Sequence, residues 1–240
     1  MRFHPLVRGI AESITDLLFP PACLGCGAVT PASRGLLCSA CRSSLHHLLR
    51  SEELYRETCH RLTQGGAVAG LVSRFVFEKG GPLQMLLHEL KYGGMTRIGL
   101  ELGREVGANV TTWCAEMPLT VIVPVPLHFT RKRERGYNQC EYIARGIREV
   151  THLPILMPAL IRQRPTRSQT TLDRHERAAN VQGAFQLRAA ELRHLRAQSV
   201  LLVDDVITTG STVRECARVL VNAGVRSVVA CSVALAAADI

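Results

Sequence analysis

One run of thirteen residues, Val200-Leu201-Leu202-Val203-Asp204-Asp205-Val206-Ile207-Thr208-Thr209-Gly210-Ser211-Thr212, restricts the fold more than any other part of the chain. Four apolar residues in succession suit a strand buried on both faces, the condition of a central strand in a parallel sheet. The pattern predicts a strand over 199–203, two acids where its carboxyl end meets solvent, and a tight turn into a helix over 212–223. Ligands of open α/β sheets bind at that end of the strands. Gly210 lets the backbone close on an anion, the N–H groups of the first helical turn point at it, and the helix dipole favours its charge. The hydroxyls of Thr208, Thr209, Ser211 and Thr212 add donors.

The run contains no Gly-x-x-x-x-Gly-Lys, which excludes a P-loop NTPase here, and no Gly-x-Gly-x-x-Gly follows the strand, which argues against a dinucleotide fold. Paired acids directly before a phosphate turn suit a ligand whose hydroxyls adjoin a phosphate. A ribose 5-phosphate has that shape: carboxylates accept from its 2- and 3-hydroxyls while the turn holds the phosphate.

The rest of the chain alternates strand and helix. Strands are expected at 71–77, 121–125, 160–163 and 227–234, and helices at 83–91, 97–110 and 138–150. That order argues for βαβ units, and so for an α/β fold with a parallel sheet covered on both faces. Upstream, residues 6–19 have the spacing of a short amphipathic helix, ended by Pro20-Pro21. Residues 44–65 are polar and irregular and suit a short helix and linker. Three segments are expected: an N-terminal helix over 1–21, a small module and linker over 22–65, and the α/β domain over 66–240.

The small module is defined by cysteine spacing. Cys23-Leu24-Gly25-Cys26, eleven residues, then Cys38-Ser39-Ala40-Cys41 is a strong signal for tetrahedral Zn²⁺. Four thiolates leave no open position, so this zinc is expected to be structural. The other five cysteines, Cys59, Cys114, Cys140, Cys216 and Cys231, are scattered, which suits a reducing compartment rather than a disulfide framework. Cys59-His60 has no partner pair nearby, so a second metal is not expected. No apolar run approaches the ~18 residues of a spanning helix. Glu12, Ser13, Thr15 and Asp16 interrupt any secretory core, and the cytoplasm is the expected location.

The formal net charge of +9 favours a polyanionic partner: nucleic acid, an acidic lipid surface or a phosphorylated ligand. Two basic segments carry much of it. Val121 to Leu127 leads into His128-Phe129-Thr130-Arg131-Lys132-Arg133-Glu134-Arg135-Gly136-Tyr137-Asn138-Gln139, expected as a stiff loop with four cations. Residues 162–185 are too polar for a core, lie between two predicted strands, and include Arg164, Arg174 and Arg177.

The run VLLVDDVITTGST resembles the binding motif for phosphoribosyl diphosphate (PRPP) of type I phosphoribosyltransferases over its whole length. With VPVPLHFTRKRERGYNQ, RSQTTLDRHERAANVQGAF and the block HELKYGG at 88–94, the chain resembles the ComF family of competence-associated, phosphoribosyltransferase-like proteins over nearly its whole length. The resemblance implies that Asp204 and Asp205 hold the ribose, that Thr208, Thr209, Gly210, Ser211 and Thr212 hold the 5-phosphate, and that Lys91, Arg131, Arg133 and Arg135 face phosphate. Arg164, Arg174 and Arg177 would belong to a hood that closes over PRPP and assists loss of diphosphate together with Mg²⁺. Glu134 or one of the paired acids is the candidate general base. The implied role is in DNA uptake and natural transformation, with single-stranded DNA and competence or recombination proteins as partners. A catalytic PRPP-dependent transferase of nucleotide metabolism or salvage is the alternative.

Overall fold

A computed structural model describes residues 22–30, 35–163 and 181–237. The helix expected at 6–19 lies outside the described residues, as do Arg164, Arg174 and Arg177. The chain divides into two compact units. In the smaller one the described residues are 22–30, 35–45 and 78–86, and the larger one takes 46–77 and the chain from Leu87 onward.

The larger unit is built on a four-stranded parallel sheet. Its strands are β1 (Gly70–Val76), β2 (Val121–Pro124), β5 (Ser199–Ile207) and β6 (Ser227–Leu235), in the spatial order β1-β6-β5-β2. β3 (Leu160–Arg162) and β4 (Phe185–Leu187) form a separate antiparallel ribbon. β5 and β6 are central, and Val200, Leu201, Leu202 and Val203 are all fully buried, the reason the sequence there shows no polar alternation.

Successive residues of those strands face different helices. Val121, Val123, Val200, Leu202, Val228 and Ala230 share one apolar cluster with Tyr55 and Leu62 of α2 (Glu53–Thr63) and with Val213, Cys216 and Leu220 of α8 (Ser211–Asn222). Helices α4 (Thr96–Glu116) and α6 (Gln139–Thr151) pack on each other and on the sheet. They meet through glycines at one helical turn's spacing, Gly99, Gly103 and Gly107 on α4 and Gly146 on α6. A Cβ on Gly103 would lie 2.2 Å from the Ile143 carbonyl oxygen, and one on Gly146 would lie 2.2 Å from that of Leu100. The backbones therefore touch directly.

Two expectations are corrected. β5 does not stop at Val203 but continues through both acids to Ile207, because β6 keeps pairing with it as far as Ile207↔Leu235. On the other side the ladder ends at Pro124↔Val203, where the paired prolines turn β2 away. Asp204 and Asp205 thus have a strand neighbour on one side only. The segment expected as a stiff basic loop begins as a helix, α5 (Phe129–Arg135), closed by Gly136 in the left-handed conformation. α2 is the short helix expected within 44–65, and it packs on the core: Tyr55, Thr58 and Leu62 are buried, and the Tyr55 hydroxyl donates to the Leu71 carbonyl at 2.6 Å.

Gly146→Ala is expected to lower the stability of the protein by roughly 1–3 kcal/mol despite alanine's better helix propensity, since two backbones must separate. Urea unfolding checks this, and an unchanged or raised midpoint contradicts the direct α4–α6 contact.

Candidate functional site

Strand β5 carries the two carboxylates near its carboxyl end, and two helices converge on them. Lys91, in the last turn of α3 (Pro82–Tyr92), forms an ion pair with the Asp205 carboxylate. The first two residues of α6 complete the shell: Gln139 Nε2 donates to Asp205 Oδ2 at 3.5 Å, and Cys140 Sγ to Asp204 Oδ1 at 3.5 Å. Asn138 fixes that helix start. Its Oδ1 caps the N–H of Cys140 at 3.1 Å, and its Nδ2 donates to the Val125 carbonyl at 2.9 Å, tying α6 to the end of β2.

The electrostatics follow from crowding two acids in a site shielded from water. Burial, then the neighbouring Asp205 carboxylate, pushes the Asp204 carboxyl up to about 7. Burial acts on Asp205 too, but Lys91 outweighs it and holds that carboxyl below its ordinary value. Burial works against the Lys91 ammonium, and the Asp205 and Asp204 carboxylates overcome it and hold it above its ordinary value. The pair is thus differentiated: Asp205 is the fixed anion and Asp204 the group that exchanges a proton near neutrality. Ligand atoms of Cys140, Asp204 and Asp205 lie within 4.8 Å of one another. The carboxylates are hard donors suited to Mg²⁺; the Cys140 thiol, pushed well above its ordinary value by burial, is not.

The phosphate turn follows directly. Gly210 has φ of 76° and caps α8, and no side chain caps that helix end. Thr209 and Ser211 are buried and bonded to each other through their hydroxyls at 3.0 Å. The first intrahelical bond runs from Arg214 N–H to the Gly210 carbonyl, so the amides of the first turn lie before it. From α2, Arg61 Nη2 donates to the Thr208 carbonyl at 3.1 Å.

The basic segment reaches the acids by a relay. Arg135 stacks on Tyr92 with its guanidinium 4.8 Å from the ring centre, and its Nη1 donates to Gln139 Oε1 at 3.0 Å. Lys132 pairs with Glu141 at 2.8 Å. Arg131 is half-buried, and Arg133 and Glu134 are exposed on α5, so Glu134 is not part of the buried cluster. Arg162 on β3 lies over Phe185, within electrostatic reach of Arg131 and Asp204. On α8, Glu215 accepts from the Gly183 N–H at 2.7 Å and from Arg218, anchoring the chain just ahead of β4.

The structure therefore brings Lys91, Asp204, Asp205 and the 208–212 turn together and reaches them from Arg135 through one side chain. Sequence reasoning missed Gln139, Cys140 and Arg61. Gln139 lies at the end of the basic block and Cys140 is one of the scattered thiols; the signal that marks both is their place just after the helix-capping Asn138.

In the smaller unit the four cysteines form the other cluster. All four sulfurs lie within 4.8 Å of one another, with Cys26 and Cys38 3.8 Å apart. Four ligands at the ~2.3 Å of a zinc–thiolate bond stand at about that separation in a tetrahedron. Amides of Gly25 and Cys38 donate to Cys23 Sγ at 3.3 and 3.2 Å, and that of Cys41 to Cys38 Sγ at 3.4 Å, as thiolates require. Gly25 has no room for a side chain: a Cβ would lie 2.9 Å from Cys41 Sγ. The donor set fits a structural zinc.

Residues 150–239 match the phosphoribosyl transferase domain and residues 14–64 the double zinc ribbon domain. With the parallel sheet and the cysteine cluster, this makes the chain a phosphoribosyltransferase-type α/β protein with a zinc module. Competence protein F of Haemophilus influenzae is 32% identical to it over 151 residues, covering 61% of this chain and 65% of its own length. DNA utilization protein YhgH of Escherichia coli K12 is 33% identical over 151 residues, covering 61% and 64%. Competence protein ComFC of Bacillus subtilis is 22% identical over 204 residues, covering 84% and 78%. The chain is thus similar to competence proteins of the ComF type, and its match spans just under two thirds of the length of the first two relatives.

The double-ribbon match meets only one four-cysteine cluster among the described residues. Its second half contains α2, where Cys59 is half-buried and the His60 ring is hydrogen-bonded to Gln64 at 2.8 Å. These residues do not fit a second zinc. Metal analysis of the purified protein is expected to give one zinc per chain, with chelation disordering the 22–45 segment; two equivalents would contradict the structure.

Asp204 also makes stability depend on pH. Its folded-state pKa of about 7 exceeds the unfolded value of 3.8, so the folded state binds the extra proton and stability falls as pH rises from about 4 to 7. Asp204→Asn should flatten that slope and stabilise the protein by roughly 1–3 kcal/mol above pH 7. Denaturation curves at pH 5 and pH 8 check it; an unchanged slope contradicts the assignment.

Proposed function

We propose that the larger unit binds PRPP with Mg²⁺, or a related ribose phosphate. The observation that carries this is the pair of carboxylates, one held ionised by Lys91, immediately ahead of a hydroxyl-rich turn at the carboxyl edge of a parallel sheet. Ribose hydroxyls donate to Asp204 and Asp205, and the 208–212 turn takes the 5-phosphate. Mg²⁺ and the guanidiniums of Arg131, Arg133 and Arg135 meet the diphosphate, joined by Arg164, Arg174 and Arg177 from the hood segment. For transfer of the phosphoribosyl group, Asp204 is the favoured proton acceptor, because it lies in the buried cluster with its carboxyl pushed up to about 7, whereas Glu134 is exposed outside it. An active transferase of nucleotide metabolism or salvage is the alternative that this one observation keeps in view.

The biological setting we propose is cytoplasmic handling of DNA during uptake and natural transformation, alongside competence or recombination proteins. Support comes from the relatives, whose names are competence protein F, DNA utilization protein and competence protein ComFC. A single-stranded DNA contact suits α5 and its surroundings. Arg133 and Lys132 are exposed there, and Phe129 and Tyr92 show 63% and 66% of their surface. Cations for the backbone and aromatic faces for bases are the two requirements of such a surface.

Calorimetric titration with PRPP and Mg²⁺ tests the pocket. Native protein is expected to bind and the Asp204→Ala/Asp205→Ala double variant to lose at least about 10-fold in affinity, in line with loss of charged hydrogen bonds. No heat from native protein overturns the proposal. Single-stranded DNA binding, followed by fluorescence anisotropy, should weaken steeply between low and moderate salt and weaken further in Arg133→Gln. Salt-independent binding contradicts a phosphate-led contact.

A further inference from the structure

The second half of the double-ribbon match contains helix α2. Helix α2 turns one face into the core through Tyr55, Thr58 and Leu62, and that face ends against the phosphate turn. Leu62 fills the space beside Gly210 so closely that a Cβ there would stand 2.4 Å from Leu62 Cδ2. The neighbouring Arg61 places Nη2 3.1 Å from the Thr208 carbonyl oxygen and 3.0 Å from the hydroxyl of the buried Thr58. The guanidinium is therefore tied to the turn by the turn's own backbone, and its helix is fixed by buried contacts.

The charge balance of the turn gives that arrangement a purpose. Between Val200 and Val213 the chain contributes two carboxylates and no cation. Lys91 is committed to Asp205. A sugar 5-phosphate at neutral pH carries close to two negative charges, and the hydroxyls and amides of 208–212 offer it neutral donors only. Helix amides and dipole favour a phosphate there, but beside the paired acids an added cation strengthens its binding. A guanidinium is suited to the task, since its planar fork can bond a carbonyl through one nitrogen while meeting phosphate oxygens with others.

We infer that Arg61 is a binding residue for the ligand's 5-phosphate, supplied from outside the βαβ frame by the helix that follows the single zinc ribbon. The inference rests on the sugar-phosphate function proposed above. It assigns a ligand contact to a segment that otherwise serves as the link between zinc module and sheet.

Ribose 5-phosphate affinity, measured by calorimetry at two salt concentrations, tests it on the full chain with Arg61→Gln, Arg61→Lys and, as a control on the same helix, the exposed Arg56→Gln. Arg61→Gln is expected to lose about 10- to 100-fold in affinity, the scale of a charged hydrogen bond to phosphate. Its binding should also respond less to salt. Arg61→Lys should recover part of the loss, and Arg56→Gln should bind within about twofold of native. Thermal melts accompany each variant. Unchanged affinity in Arg61→Gln overturns the inference while leaving the pocket intact. A loss that Lys does not relieve, with native salt response and a lowered melting temperature, overturns it in favour of mere support for the turn. Native protein that fails to bind ribose 5-phosphate removes the parent proposal as well.

Discussion

Two carboxylates set side by side near the carboxyl end of a buried strand repel each other, and the ion pair between Lys91 and Asp205 is what makes the arrangement tolerable. Much of the local architecture serves that pair. β2 stops at its prolines and leaves one flank of Asp204 and Asp205 open, while β6 keeps the other flank paired. Helix α3 ends where Lys91 meets Asp205, and α6 begins where Gln139 and Cys140 meet both acids. Breaking the ion pair from the lysine side would leave a buried charge without its counterpart, which is far costlier than losing a surface bridge. One lysine thereby divides two chemically identical side chains into a permanent anion and a group that titrates near neutrality.

The glycine-mediated contact of α4 with α6 acts at a distance on the same site. The direct approach of Gly103 and Gly146 sets where α6 lies, and the N-terminal end of α6 carries Gln139 and Cys140. Asn138 completes the placement from the sheet side by bonding the Val125 carbonyl. At the opposite flank α2 closes on the phosphate turn through Leu62 and Arg61. The turn is thus held between α8, which it leads into, and α2, which lies within the zinc-ribbon match.

Local pattern made the sheet, the phosphate turn and the cysteine cluster legible, because each is written in consecutive residues or a fixed spacing. Val200 to Val203 announce a strand buried on both faces, and two Cys-x-x-Cys pairs announce a metal knuckle. The partners of the acids were not legible in the same way. Cys140 stands 64 residues from Asp204, and Gln139 66 residues from Asp205, and no local period links them. Arg61 was hidden more deeply, in a polar stretch 147 residues from Thr208 that becomes a half-buried helix only when Tyr55 and Leu62 find the core. The extension of β5 through its acids shows the same limit: aspartate disfavours strands locally, and pairing with β6 overrides it. The basic block became a helix because its capping His128 and closing Gly136 outweighed the impression of a loop left by the prolines before it.

A crystal structure of the protein with PRPP and Mg²⁺ tests the central claim most directly. Ribose hydroxyls are expected on the Asp204 and Asp205 carboxylates and the 5-phosphate against the amides and hydroxyls of residues 208–212. A ligand bound elsewhere, or a sugar turned so that its phosphate faces α5 and its hydroxyls leave the paired acids, would contradict it.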